Sequence, residues 1–68
     1  MVLSDLRNGD EVQIKQGGYY TVVDDLLRCE DGKSLSLSCY TEDMKSSCGY
    51  IILDIMKVSR AGKVIFER

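Results

Sequence analysis

Three acidic pairs are the first residues in this 68-residue chain whose types could do chemistry: Asp24-Asp25, Glu30-Asp31 and Glu42-Asp43. Two carboxylates can share acid–base work when a cleft buries them unequally and drives their pKa values apart. These pairs stand instead in stretches that read as turns, where adjacent acids are solvated. The chain contains no histidine. It has no Gly-x-Ser-x-Gly elbow and no phosphate-binding glycine loop. The Asp-x-Asp-x-Asp-Gly spacing of a calcium loop is also missing. The expected chemistry is therefore recognition: no enzyme, no metal, no cofactor.

The three cysteines, Cys29, Cys39 and Cys48, are an odd count with no Cys-x-x-Cys pair. A structural zinc needs four ligands, and thiolates alone cannot supply them here. The cysteines read as small, reduced, mostly buried hydrophobes. A basic set, Lys57, Arg60 and Lys63 with Tyr50 as an aromatic neighbour, has the composition of a weak site for a nucleic-acid backbone. It also suits a solvated hairpin whose bases discourage edge-to-edge aggregation. Four of the five aromatics are tyrosines. Tyr19 and Tyr20 point to opposite faces of a strand, so one of them is expected to be exposed.

Charge weighs these sets against each other. The net charge is −2, from nine basic and eleven acidic residues. That disfavours a dedicated nucleic-acid binder, whose affinity comes largely from neutralising phosphates. Residues 1–34 hold seven acids and four bases, a net of −3, whereas residues 35–68 hold four acids and five bases, a net of +1. No apolar run reaches the ~20 residues that span a bilayer. Met1-Val2-Leu3-Ser4-Asp5 has neither the basic region nor the apolar stretch of a secretory signal, so the expected address is the cytoplasm.

The elements that must position these residues are strands. Glu11-Val12-Gln13-Ile14-Lys15 alternates, and Gly17-Gly18 suits a tight turn before Tyr19-Tyr20-Thr21-Val22-Val23. Asp24-Asp25 is a turn and Leu26-Leu27-Arg28-Cys29 a short strand. Asp31-Gly32 marks another hairpin, and Ser34–Cys39 alternates with Leu35 and Leu37 inward. Thr41 could cap one helical turn over residues 41–45. Residues 50–59 fit a strand better than a helix, although positions 51, 52, 55, 56 and 58 would also share a helical face. Arg60-Ala61-Gly62 turns into the last strand, Lys63–Glu67.

Six short strands at this spacing predict a single all-β domain over residues 1–68, mainly antiparallel. The expected core is Val12, Ile14, Val22, Leu26, Leu35, Leu37, Ile55, Val58, Val64 and Phe66. A core this small supplies about 3–5 kcal/mol of net stability, so association into homo-oligomers stays open as a further source. Leu6-x-Asn8-Gly9-Asp10 reads as the turn entering the first strand.

The order of short motifs resembles small proteins encoded by phages and prophages of Gram-positive bacteria. The matching segments are Leu6-Arg7-Asn8-Gly9-Asp10, Gly18–Val23, Leu35–Tyr40 with Glu42-Asp43, Asp54-Ile55-Met56-Lys57-Val58 and Phe66-Glu67-Arg68. The resemblance covers nearly the whole chain. It implies a small, partly open SH3-like β-barrel in an accessory protein of the bacterial host cytoplasm, and no activity. The chain departs from the pattern at Ser59-Arg60-Ala61-Gly62, which is shorter than the usual connection, so the last hairpin should be tight. On this reading the protein binds and inhibits a host or defence protein through Asp24, Asp25, Glu30, Asp31, Glu42, Asp43, Tyr20 and Tyr40. The alternatives are weak nucleic-acid binding through the C-terminal bases and an oligomeric sponge for a small nucleotide signal.

Overall fold

The computed structural model describes all of residues 1–68 as one antiparallel sheet of six strands. The strands are β1 (Glu11–Ile14), β2 (Tyr19–Val23), β3 (Leu26–Arg28), β4 (Ser34–Ser36), β5 (Ile55–Arg60) and β6 (Lys63–Glu67). Their spatial order is β4-β3-β2-β1-β5-β6, so the first four strands form a meander and β5 returns beside β1. The sheet does not close into a barrel: β4 and β6 are its edges. The all-β architecture expected from the alternating segments is the one found. No helix is long and apolar enough to cross a membrane.

One face of the sheet carries the core. Val12 lies opposite both Tyr20 and Val58, and Val58 opposite Phe66. A second row sets Val22 against Leu27 and Leu27 against Leu35. The segments at residues 1–6 and 37–54 cover this face, bringing Leu3, Leu6, Leu37, Tyr40, Met44 and Leu53 against it.

Leu26 was expected inside but is exposed, and Leu27 is fully buried instead. The two-residue turn Asp24-Asp25 sets the register Val22↔Leu27, and a shift of one residue exchanges the faces of a strand. Val64, also expected inside, is exposed. Register slips between Val58 and Ser59: Phe66 pairs with Val58 but Val64 pairs with Ser59, leaving Ile65 as the extra residue of a bulge. Val64 and Phe66 therefore do not share a face. A second bulge, at Met56, lets both Ile55 and Val58 face the core. This three-residue spacing is what made residues 50–59 resemble a helical face.

Three further segments differ from the simple strand reading. The alternation over 34–39 stops at Ser36, whose Oγ accepts a hydrogen bond from the Ser38 amide (3.3 Å) and caps a 3-10 turn at Leu37–Cys39. Ile51–Leu53 is likewise a 3-10 turn before β5. The expected helical turn at 41–45 is a reverse turn: the Met44 amide donates to the Thr41 carbonyl (2.9 Å), and Met44 has φ +62°, which no right-handed helix accepts. The last hairpin is tight, as expected. Ala61 and Gly62 have φ +51° and +80°, the two positive values of a type I′ turn.

Asp10 is the one buried charged residue, only 2% exposed. Its carboxylate accepts from Arg60 Nε (2.9 Å), Arg60 Nη2 (2.8 Å) and the Arg7 amide (2.9 Å). The Arg60 guanidinium, and then the burial it offsets, set the balance that holds the Asp10 carboxyl below the ordinary aspartate value. Arg68 makes a second tie. Its guanidinium donates to the carbonyls of Ile55 (2.9 Å), Asp43 (3.1 Å) and Met44 (3.0 Å), and it lies 5.4 Å from the centre of the Phe66 ring.

Candidate functional site

The six acids of the expected binding face do not gather at one place. Asp24 and Asp25 form the β2–β3 turn, whereas Glu30 and Asp31 lie in the β3–β4 turn, at the other end of β3. The Asp24 amide donates to Asn8 Oδ1 (2.7 Å), so Asn8 holds that turn. Asp31 accepts from the Lys33 amide (3.0 Å), which with its neighbours holds the carboxyl below its ordinary value. Glu42 accepts from Ser4 Oγ (3.3 Å), and Asp43 lies 3.6 Å from Lys45 and 3.9 Å from Arg68.

The two tyrosines assigned to that face also divide. Tyr20 is half-buried, packed on the core. Tyr40, expected at the surface, is a core residue at 7% exposure whose hydroxyl donates to the Leu53 carbonyl (2.7 Å). An isolated bridge between Tyr40 and Ser46 brings the covering segment down over the ring. Burial pushes the Tyr40 phenol up from 10.0 to about 12.

The basic set is dispersed as well. The Arg60 guanidinium is held by Asp10, and Lys63 stands opposite Arg60 beside the hairpin turn. Lys57 lies opposite Gln13 on one side and Glu67 on the other. Tyr50 is 62% exposed, next to the exposed Ile51 and Ile52 at the start of the 3-10 turn before β5. The cysteines depart from the buried reading: all three are free, Cys29 is half-buried, and Cys39 and Cys48 are exposed.

What the fold does bring together is the sheet face opposite the core. Pairing sets Arg28, Thr21, Glu11 and Ser59 in one cross-strand row, and Tyr19, Gln13 and Lys57 in the next. A depression of about 610 Å³ lies over Glu11, Tyr19, Tyr20, Thr21, Arg28, Cys29 and Glu30. A smaller one of about 110 Å³ continues it over Glu11, Gln13, Tyr19, Lys57 and Ser59. Glu11 and Tyr19 belong to both, and Tyr19, 60% exposed, stands where they meet. None of Glu11, Arg28, Glu30 and Lys57 is engaged in an ion pair.

The groove thus joins Glu30 and Lys57 from the sequence reading, with Tyr20 only at its margin because that side chain packs on the core, to Glu11, Gln13, Tyr19, Thr21 and Arg28, which that reading did not assign to a site. The signal for these was the polar half of each alternating strand, whose register across strands only the pairing reveals. Chemically the groove offers a phenol ring and hydroxyl at its centre and unpaired charges of both signs along its walls. Such a surface holds an extended polar segment by hydrogen bonds and charge complementarity. Comparison with protein-family models, with curated proteins and with solved structures finds no match to this chain.

Proposed function

We propose that the protein is a non-catalytic binding module that uses its outer sheet face to hold a basic, extended segment of another protein. The observation that carries this reading is the position of Tyr19, exposed at the junction of two continuous depressions and flanked by Glu11 and Glu30, which hold no ion pair. Tyrosine supplies large contact area at a low entropic cost and is enriched at interface hot spots. Glu11 and Glu30 supply the charge for lysine or arginine side chains of the partner, and Arg28 and Lys57 set its register by repelling misplaced ones. The resemblance to phage and prophage accessory proteins points to a partner in the bacterial host, a host or defence protein whose activity the bound module would inhibit.

Capture of host proteins from lysate on the immobilised chain tests this reading, with variants as the decisive arms. A captured partner is expected to be lost with Tyr19→Ala and with Glu30→Lys, and retained with Lys63→Ala, which lies off the groove. Capture insensitive to both Tyr19 and Glu30 overturns it. A second reading rests on Arg28 and Lys57 flanking Tyr19: one nucleobase stacked on the ring with its phosphates on the two bases. Tight, salt-sensitive binding of single-stranded oligonucleotides, abolished by Arg28→Ala with Lys57→Ala, moves that reading to first place.

A further inference from the structure

A second cavity, of about 180 Å³, opens on the core side of the sheet, where β4 meets the segment that leads to β5. Its walls are apolar, with Leu35, Tyr40, Tyr50 and Leu53 among them, and it contains both exposed cysteines, Cys39 and Cys48. The backbone independently brings these two together. Tyr40 bridges Ser46 in antiparallel sense. The Cys39 carbonyl accepts from both the amide and the hydroxyl of Ser47, each at 2.9 Å. Cys48 is therefore one residue beyond the cross-strand partner of Cys39. In a regular ladder this offset would turn the two side chains to opposite faces. Cys48, however, lies in the turn that the Gly49 amide closes on the Ser46 carbonyl (3.4 Å), outside any strand. The bond therefore requires this turn to bring its thiol to Cys39 across the cavity they share. Cys29 lies elsewhere, on the wall of the outer groove.

We propose that Cys39 and Cys48 form a redox-active dithiol, a modification site that closes to an intramolecular disulfide on exchange with a low-molecular-weight disulfide. One protein thiolate attacks the small disulfide, forming a mixed disulfide and releasing one small thiol. The second protein thiolate attacks the protein sulfur of that mixed bond and releases the other small thiol. The two cysteines together lose two protons and two electrons. One small disulfide is reduced to two thiols. Exposure admits the oxidant, and the shared cavity keeps the second thiol beside the first. The product closes the loop over residues 39–48, which contains the core side chains of Tyr40 and Met44. The bond ties that covering segment to the turn after β4, and the oxidised chain is expected to unfold at higher urea than the reduced one.

The experiment incubates the folded full chain at low concentration with oxidised glutathione, then alkylates free thiols and reads intact mass and peptide map. Wild type is expected as a monomer lighter by two hydrogens, with Cys29 alone alkylated and one peptide pair linked through Cys39 and Cys48. Cys29→Ser should oxidise in the same way. Cys48→Ser should instead accumulate a glutathione adduct on Cys39, because the resolving thiol is gone. A linkage through Cys29, disulfides between chains as the main product, a persistent glutathione adduct on wild type, or no reaction would each overturn the pairing.

Discussion

Replacing Asp10 with alanine is expected to remove most of the stability of this domain. The carboxylate is 2% exposed and accepts three hydrogen bonds, two from one guanidinium and one from the Arg7 amide. Hydrogen bonds to a charged group each contribute about 1.5–3 kcal/mol, and the three are coupled through one small anion, so they do not simply add. Removing one partner of a buried pair costs about 3–5 kcal/mol, and the partial exposure of Arg60, at 33%, lowers that figure to about 2–4 kcal/mol. The whole domain holds about 3–5 kcal/mol. With a urea slope near ~1 kcal/mol/M for so small a chain, the midpoint should fall by about 2 M or more. Asp10→Asn keeps the shape, loses the charge and should lie between wild type and alanine. The pH dependence follows in sign. Asp10 has a folded pKa below its reference value of 3.8, so its contribution is complete above that value and is lost as pH falls through the folded pKa. Wild type should lose stability on acidification below pH 3.8 by a step that Asp10→Asn lacks. Urea melts at neutral pH and down through this range measure both effects. An alanine variant within about 0.5 kcal/mol of wild type, the range of an ordinary surface change, would refute the reasoning.

Other sites give independent expectations. Phe66→Ala should cost about 2–3 kcal/mol, because the ring packs half-buried on the core opposite Val58 and under the Arg68 guanidinium, while Glu67→Ala should stay within about 0.5 kcal/mol in the same urea melts. The Tyr40 phenol is raised from 10.0 to about 12, so its neutral form favours the fold. That contribution is complete below pH 10.0 and is lost as pH rises to about 12, a loss that alkaline melts should show in wild type and not in Tyr40→Phe. Ala61 sits at φ +51° in a type I′ turn before Gly62, so Ala61→Asn should raise stability by about 0.5–1 kcal/mol, and a fall in the thermal midpoint would contradict the turn assignment.

Much of the fold was legible because period-two alternation and turn residues act locally. Glu11–Ile14, Tyr19–Val23 and Lys63–Glu67 are strands where the pattern places them, joined by glycine or acidic turns. What stayed hidden depends on neighbours in space. The bulge at Ile65 turns Val64 outward, whereas the one at Met56 brings both Ile55 and Val58 to the core face, and no single-strand pattern reports which partner residue is skipped. Leu26 and Leu27 are chemically alike, so only the register set by the Asp24-Asp25 turn selects Leu27 for the core. The candidate site was less legible. Arg60 reads as a surface base until Asp10, fifty positions away, is seen to hold it. The acids share a composition but not a location, because consecutive turns of a meander fall at alternate ends of the sheet. The groove is built from polar outward positions on β1, β2, β3 and β5, each unremarkable within its own strand.

The most direct test of the outer face as the binding surface is an amide-resolved NMR titration of the isotope-labelled chain with the partner protein recovered by capture. The account predicts shifts or line broadening concentrated at Glu11, Gln13, Tyr19, Thr21, Arg28 and Lys57, with Asp24, Asp25 and Tyr50–Leu53 unchanged. Perturbations confined to the Asp24-Asp25 turn or to the exposed Tyr50-Ile51-Ile52 stretch, with the groove silent, would contradict it.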